Sequence, residues 1–169
     1  YMIKSGFRRS GNQVYRPYCQ DCKACVTTRI EVEKFTPDRS QRRNFKHNQD
    51  LRVEVNNEGF KPEYAELYER YLKSRHEDTE TDGVQDFLTA TWCDTLFIEF
   101  YDQAELIGVA AVDKLASGLS AVYTFFDPEQ GSRRGIGVFA LIWQIHYARE
   151  IGLQYVYPGY WIKDCNKMN

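Results

Sequence analysis

A segment with helical periodicity follows Lys61-Pro62-Glu63. One face of a 3.6-residue repeat carries the apolar residues Tyr64, Leu67, Tyr68, Tyr71 and Leu72. Pro62 suits the first turn of a helix, where its missing N–H costs no hydrogen bond, and Glu63 complements the positive end of the helix dipole. Glu66–Arg70 and Glu69–Lys73 have the spacing of i,i+4 pairs on the polar face. The pattern predicts an amphipathic helix that ends near Arg75-His76.

Alternation of apolar and polar residues predicts strands on both sides of this helix. Before the helix, Val14–Arg16 and Val26–Val32 have the pattern of two short strands. After it, Leu96–Tyr101 and Leu106–Asp113 flank a turn and are typical of an antiparallel hairpin. Leu119–Phe126 follows as a further strand, which we expect to lie at the centre of the sheet.

The last part of the chain combines a loop, a helix and a strand. Gly131–Gly137 is expected to form a glycine-bearing loop that leads into a helix from about Gly135 to Ile151. Gly152 then provides a stop signal for that helix. Gln154–Ile162, which is rich in Tyr and Trp, predicts the final strand.

The order of these elements defines a fold class. Between the first helix and the hairpin, Glu77–Gly83 is expected to be an acidic loop, and Gln85–Trp92 predicts a short second helix. Helices and strands are then mixed along the chain without a regular βα repeat. This order predicts an α+β fold with a mixed central sheet and flanking helices.

Composition narrows the classes of protein. A chain of 169 residues suits one domain of ordinary size. The 12 Tyr, 10 Phe and 3 Trp residues can fill a core and leave rings over for a pocket. The mean hydropathy is −0.58, and the sequence contains no apolar run long enough for a membrane span. We therefore expect no membrane partner.

Charge divides the chain into two regions. Residues 1–52 form a basic N-terminal region with a formal charge of +7, and residues 53–169 form a body with a charge of −9. A basic region of this kind is typical of a surface that binds a polyanion. A solvated basic face explains the same charges equally well. The two regions are expected to pack as one unit.

Three cysteines lie close together in the basic region. Cys19, Cys22 and Cys25 form a C-x-x-C-x-x-C run, whereas Cys93 and Cys165 are distant in sequence. The odd count and the lack of a secretory signal indicate a reducing compartment, and we expect a cytoplasmic protein. The spacing is typical of part of a thiolate metal site or an iron–sulfur site. Because the sequence offers no evident fourth ligand, a metal site would need a ligand from outside this chain, and free structural thiols are the alternative. With or without a metal, we expect the three sulfurs to converge.

The segment from the central strand into the last helix resembles the corresponding unit of GNAT-like acyltransferases. The pyrophosphate loop of that fold reads R/Q-x-x-G-x-G/A, and this chain has Ser132-Arg133-Arg134-Gly135-Ile136-Gly137. The glycines fit, but Ser132 departs from the pattern, which argues against coenzyme A as acyl carrier. A helix N-terminus after glycines suits an anion. Tight packing of strand against helix is the alternative reason for these glycines.

Several longer motifs, in the same order, carry a more specific resemblance. They are Phe7-Arg8-Arg9-Ser10-Gly11, Tyr15-Arg16-Pro17, the triple-cysteine run, Arg39-Ser40-Gln41-Arg42-Arg43, Tyr68-Glu69-Arg70-Tyr71, Ser120–Pro128, Gly159-Tyr160-Trp161-Ile162 and Lys167-Met168-Asn169. Together they resemble the bacterial aminoacyl-tRNA–protein transferases, relatives of the eukaryotic arginyl-tRNA–protein transferases. The branch with the triple-cysteine run resembles the aspartate/glutamate leucyltransferases. Members of that family extend further at both ends, so the chain looks truncated against them.

The resemblance implies transfer of an amino acid, most consistently Leu, from aminoacyl-tRNA to acceptor proteins with N-terminal Asp or Glu, which tags them for N-degron degradation. Such a transfer requires no cofactor. An α-amine has a pKa of about 7.7–8, so part of it is neutral at pH 7 and can attack the ester. The enzyme has to align the two reactants, accept a proton and stabilise an oxyanion. Neither DNA nor a membrane is an expected partner.

Each step of this reaction has candidate residues. Asp127 is the candidate for proton acceptance, and Tyr123 for holding the ester or the ribose. Arg75 with His76 could bind the acidic acceptor, since a guanidinium pairs well with a carboxylate. The candidates for tRNA phosphates are Arg8, Arg9, Arg42, Arg43 and Arg133. Their structural alternatives are a turn residue, a core tyrosine, a basic helix end and solvated arginines.

The sequence is compatible with three rival functions. Arginyl transfer would use the same mechanism. A coenzyme-A-dependent N-acyltransferase would share the fold, although Ser132 and the basic region argue against it. A non-enzymatic thiolate-metal module that binds nucleic acid would use the cysteines and the basic region alone.

Overall fold

A six-stranded mixed sheet forms the centre of the computed structural model, which describes residues 2–75, 83–163 and 165. Its strands are β3 (Val26–Glu31), β4 (Arg52–Asn56), β5 (Asp94–Asp102), β6 (Glu105–Leu115), β7 (Gly118–Phe126) and β8 (Tyr155–Trp161). They lie in the order β3-β8-β7-β6-β5-β4, and only β7 and β8 are parallel. A separate two-stranded ribbon joins β1 (Arg8–Ser10) to β2 (Gln13–Tyr15).

Five helices accompany this sheet in the described part of the chain. They are α1 (Arg39–His47), α2 (Pro62–Arg75), α3 (Val84–Leu88), α4 (Gln130–Arg134) and α5 (Ile136–Glu150), with 3-10 turns at Met2–Ser5 and Val32–Lys34. Helix α2 packs against β6 and β7, α5 packs against β7 and β8, and α1 packs on α5. None of the described helices is long and apolar enough to cross a membrane.

The core is centred on β6 and its neighbours. Ile107–Asp113 is buried at every position, which is the pattern of a strand covered on both faces. The aromatic residues of α2 and β7 interlock across this layer, with Tyr68 packed edge-on against Phe125 and Tyr71 against Phe126. Burying rings of this size supplies much of the driving force for folding.

Most of the predicted elements are confirmed. The hairpin of β5 and β6 is antiparallel, β7 is an inner strand, and α5 begins soon after it. Helix α2 begins at Pro62 and continues to Arg75, the last described residue before the gap, in agreement with its periodicity. The short second helix forms only at Val84–Leu88, because the chain turns before Trp92. His76 and most of the predicted acidic loop lie outside the described residues.

One prediction needs correction, and one helix was not predicted. Gly131–Gly137 is not an open loop, because residues 130–134 form α4 and Gly135 alone adopts a left-handed conformation, with φ of +64°. Helix α1 forms within the basic region and was not predicted. The boundary of that region at residue 52 falls on the first residue of β4. Because β3 and β4 are edge strands of the central sheet, both charge regions contribute to one sheet.

Candidate active site

The candidate site lies where β7 ends and the chain turns into α4. Asp127 is the first residue after β7, and its Oδ1 accepts hydrogen bonds from the backbone N–H groups of Glu129 and Gln130, at 3.0 and 2.9 Å. This is the turn role that Asp commonly plays before a helix. Its other oxygen, Oδ2, lies 3.5 Å from Nη2 of Arg70 on α2. One oxygen therefore fixes the turn while the other faces the neighbouring helix.

The end of α2 supplies a second cation. The guanidinium of Arg75 lies 5.1 Å from the ring centre of Tyr71 and 5.3 Å from that of Phe126, within the range of cation–π attraction. Arg75 also lines an open cleft of about 370 Å³ with Ser74, Pro128 and Ser132. The cleft thus has a guanidinium on the α2 side and the turn after Asp127 on the other side. It is suited to a small anionic group.

Tyr123 lies on β7 inside a cluster of aromatic rings. Its ring centre is 5.4 Å from Phe87, 5.8 Å from Tyr68 and 6.4 Å from Tyr71. Burial, reinforced by the neighbouring tyrosines, raises the pKa of Tyr123 to about 12, and Arg75 opposes this shift. The phenol therefore stays protonated near neutral pH and can only donate or accept a hydrogen bond, not act as a base. Its surroundings fit both the predicted substrate contact and the alternative of a core tyrosine.

Arg8 and Arg9 were predicted to contact tRNA phosphates, but both side chains are buried. Arg9 pairs with Asp113 through two contacts of 2.6 Å, and both side chains are only 4% exposed. Arg8 is also buried, and its guanidinium donates to the backbone carbonyls of Thr28 and Gly159. Their charges are used inside the protein, to hold the first strand against the sheet. The prediction that these two residues bind tRNA phosphates is therefore corrected.

The other predicted phosphate contacts remain accessible. Arg42, Arg43 and Arg133 are exposed, the first two on α1 and the third on α4. These helices are fastened together, because Asn44 on α1 donates to the carbonyls of Arg134 and Gly135 at 3.0 and 3.2 Å. The three arginines are thus carried by adjoining elements, beside the turn that holds Asp127.

The three clustered cysteines were expected to converge on a common centre. Cys19 and Cys22 face each other across an isolated backbone bridge and are exposed, whereas Cys25 is half-buried. Among the residues that the structure describes, no three His, Cys, Asp or Glu side chains are grouped to hold a metal ion. The three thiols therefore do not fit a metal or iron–sulfur site by themselves. A site completed by a ligand from outside this chain stays a prediction.

Sequence reasoning missed two contributors to this region. Arg70 was expected to pair with Glu66 along α2, but it reaches Asp127, 57 residues away. Asn48 is fully buried and donates to the carbonyl of Arg134 at 2.9 Å. The sequence did contain one sign of α1, since Asp38 and Gln41 form a capping box at its start.

Solved structures with a similar fold support the architecture. The structure of L-PGS from Bacillus licheniformis aligns with a TM-score of 0.59 at 12% identity, covering 85% of this chain and 48% of that one. The C-terminal domain of a lysylphosphatidylglycerol synthetase from Agrobacterium fabrum aligns with a TM-score of 0.61 at 11% identity, covering 95% and 50%. This likeness confirms the GNAT-like acyltransferase fold that the sequence predicted.

Relatives found by sequence share a much higher identity with this chain than these solved structures do. Aspartate/glutamate leucyltransferases from Hahella chejuensis and Pseudomonas fluorescens are 45% and 47% identical, over 97% and 99% of this chain. The chain covers 72% and 73% of their lengths. The family models of the arginine-tRNA-protein transferase N terminus and C terminus match residues 1–43 and 63–169. The chain therefore belongs to the arginine-tRNA-protein transferase family.

Proposed function

We propose that this chain transfers leucine from charged tRNA to the α-amine of proteins that begin with Asp or Glu, and so marks them for degradation. Family membership makes it an aminoacyltransferase, rather than a coenzyme-A-dependent acyltransferase or a non-enzymatic metal module. The choice of leucine and of acidic acceptors follows relatives that are named aspartate/glutamate leucyltransferases and are 45–48% identical. We place the reaction in the cytoplasm, where charged tRNA is used in translation.

One observation carries the assignment of the acceptor end. The cleft between α2 and the turn after β7 is lined by Arg75 and Pro128. The residue before Pro128 is Asp127, whose Oδ2 lies 3.5 Å from Nη2 of Arg70. An acceptor with an N-terminal Asp or Glu presents an amine and a carboxylate a few ångströms apart. A cleft lined by a cation, next to a residue with a carboxylate, is complementary to that pair of charges.

The reaction needs only a short sequence of steps. The acceptor nitrogen forms a bond to the carbonyl carbon of the aminoacyl ester, and the bond from that carbon to the 3′ oxygen of the ribose breaks. Asp127 is proposed to accept the proton that the amine loses and to pass it to the departing 3′ oxygen, which leaves as a hydroxyl. Tyr123, protonated at neutral pH, is proposed to hold the ester carbonyl or the ribose by a hydrogen bond.

The acidic side chain of the acceptor is assigned to Arg75, which lines the cleft. Arg75→Ala should reduce transfer to peptides that begin with Asp about 10- to 150-fold, since a charge-assisted hydrogen bond is lost. Affinity for charged tRNA should stay unchanged. Lys73→Ala is the matched control, because Lys73 pairs with Glu69 on the outer face of the same helix. Equal losses in tRNA binding and acceptor use would withdraw the acceptor role.

The function itself is tested by supplying the carriers separately. The protein is incubated with Leu-tRNA, Arg-tRNA or an acyl-coenzyme A, together with a peptide that begins with Asp, Glu or Asn. We expect transfer from Leu-tRNA to the two acidic peptides. Transfer from Arg-tRNA instead would revise the donor, and transfer from acyl-coenzyme A alone would overturn the proposal.

A further inference from the structure

The oxygen that is proposed to receive the amine is already partnered. Oδ1 of Asp127 is occupied by two backbone N–H groups, so only Oδ2 is directed away from the turn. Arg70 lies against that oxygen, with its Nη2 at 3.5 Å. An amine that approaches Oδ2 therefore meets the guanidinium first. While the acceptor amine carries its proton it is a positively charged ammonium. The ammonium and the guanidinium of Arg70 then repel each other at this oxygen.

The contact between Arg70 and Asp127 has the features of a readily broken pair. The Arg70 side chain is 51% exposed, whereas that of Asp127 is 15% exposed. The pair is weak because water competes for the Arg70 guanidinium and because the contact is long, at 3.5 Å. Arg75 differs, since its guanidinium lies against the rings of Tyr71 and Phe126. The guanidinium of Arg70 can therefore move away from Asp127 at small cost.

We propose that Arg70 is a specificity-determining residue that masks Asp127 until the acidic side chain of an acceptor draws its guanidinium away. This inference rests on the proposed function of the site. The carboxylate of a terminal Asp or Glu, besides its proposed contact with Arg75, pairs with Arg70, while the acceptor amine takes the oxygen that Arg70 leaves. Both charges of the original pair are then matched again. A peptide that begins with Asn has the same shape but offers no carboxylate, so Arg70 stays on Asp127.

If Arg70 masks Asp127, its removal should affect neutral acceptors, which a simple contact with the acidic acceptor would not do. If Arg70 only bound the acceptor, its removal would weaken acidic acceptors and leave neutral ones unchanged. If it also masks Asp127, its removal frees Oδ2 for the amine of any acceptor. Neutral acceptors should then be used better than by the unaltered protein. The gain should be modest, about fivefold at most, because an exposed ion pair contributes so little.

The test compares Arg70→Gln with Arg70→Lys, using peptides that begin with Asp or Asn and are otherwise identical. Arg70→Gln should raise kcat/KM for the Asn peptide up to about fivefold and lower it for the Asp peptide about tenfold. The preference for Asp over Asn should therefore fall by tenfold or more. Arg70→Lys keeps the charge and should keep most of the preference. Lys73→Ala, on the outer face of the same helix, should leave both values unchanged.

Equal losses with both peptides in Arg70→Gln would show that Arg70 only supports the fold, and an unchanged preference would show that it plays no part. Either result overturns the mask. Equilibrium binding of the same two peptides, without tRNA, should show the same change in preference. If the unaltered protein transferred no amino acid from any tRNA, the proposed function would fail, but this binding comparison would still decide the role of Arg70.

Discussion

Among single residues, the buried pair of Arg9 and Asp113 is the clearest case of a charge used for structure. Both oxygens of Asp113 are engaged by Arg9, and Thr95 donates to one of them as well. Arg9 also donates to the carbonyl of Leu88 at 2.8 Å. A guanidinium can satisfy this many acceptors in one plane, which an ammonium cannot. The residue thereby joins β1, α3 and the inner strand β6.

Replacing Arg9 should destabilise the protein without acting through tRNA. Arg9→Met keeps much of the side-chain volume but leaves the Asp113 carboxylate buried and unpaired, which costs about 3–5 kcal/mol. Urea unfolding followed by circular dichroism should show a lower midpoint. Lys34→Ala removes an exposed pair with Glu31 and should leave the midpoint unchanged. If the two variants unfolded at the same urea concentration, Arg9 would not hold the fold as described.

At the scale of elements, the junction of α4 and α5 depends on a single glycine. Gly135 is left-handed, and a Cβ there would lie 2.7 Å from the side-chain nitrogen of Asn44. That nitrogen donates to the carbonyls of Arg134 and Gly135 and so ties α1 to the junction. The glycine is required both by its backbone conformation and by the close approach of α1.

Two glycine substitutions separate these causes. Gly135→Ala and Gly152→Ala both place a side chain at positive φ, but a Cβ on Gly152 meets nothing within 4 Å. Each should lose about 1–2 kcal/mol for the left-handed backbone, and Gly135→Ala should lose more because Asn44 must move. Thermal unfolding of the two variants measures the difference. Equal melting temperatures would show that α1 adapts freely to the added methyl group.

Helix α1 is expected to bind tRNA through its exposed arginines. Arg42 and Arg43 lie on a helix that is anchored beside the site, and each phosphate they contact releases condensed counterions. Arg42→Gln with Arg43→Gln should weaken tRNA binding and lower the slope of log affinity against log salt by about one unit per lost contact. Filter binding from low to moderate salt gives both quantities. An unchanged slope would mean that these arginines are solvated and do not touch tRNA.

At the scale of the whole molecule, the sequence predicts elements better than it predicts their partners. Helix α2 was predictable because its buried residues repeat every three or four positions. Helix α1 was missed because Phe45 is its only large apolar residue, so it shows no periodic face. Strand β4 alternates in sequence but was not predicted, because the division of the chain by charge was drawn after its first residue, Arg52. The i,i+4 spacing predicted a pair of Arg70 with Glu66. The observed contact of Arg70 is with Asp127, 57 residues away, and a contact at that distance leaves no periodic signal in the sequence.

The glycines after β7 show the same limit. Sequence reasoning interpreted them together as an anion-binding loop, with tight packing as the alternative. Gly131 is buried, and a Cβ there would lie 2.7 Å from a side-chain atom of Phe126, so it serves packing. Gly135 serves the helix break, and Asp127 fixes the turn between strand and helix. The candidate residue Asp127 was found from its place at the strand end, but its relation to Arg70 required the fold.

We expect that the division of the chain by charge is not a division into folding units, which truncation tests. A chain of residues 53–169 lacks β3, α1 and the first residue of β4, which leaves β8 without its edge partner and α5 without α1. A chain of residues 26–169 keeps all six strands and loses the pair of Arg9 with Asp113. The longer chain should therefore unfold cooperatively, at a lower temperature than the full chain. The shorter chain should show weak near-ultraviolet circular dichroism and no cooperative transition. The reason is that nothing in it replaces β3 as the partner of β8 or α1 as the cover of α5. A sharp transition for residues 53–169, comparable to that of residues 26–169, would show instead that the acidic body folds alone and that the basic region is an appendage.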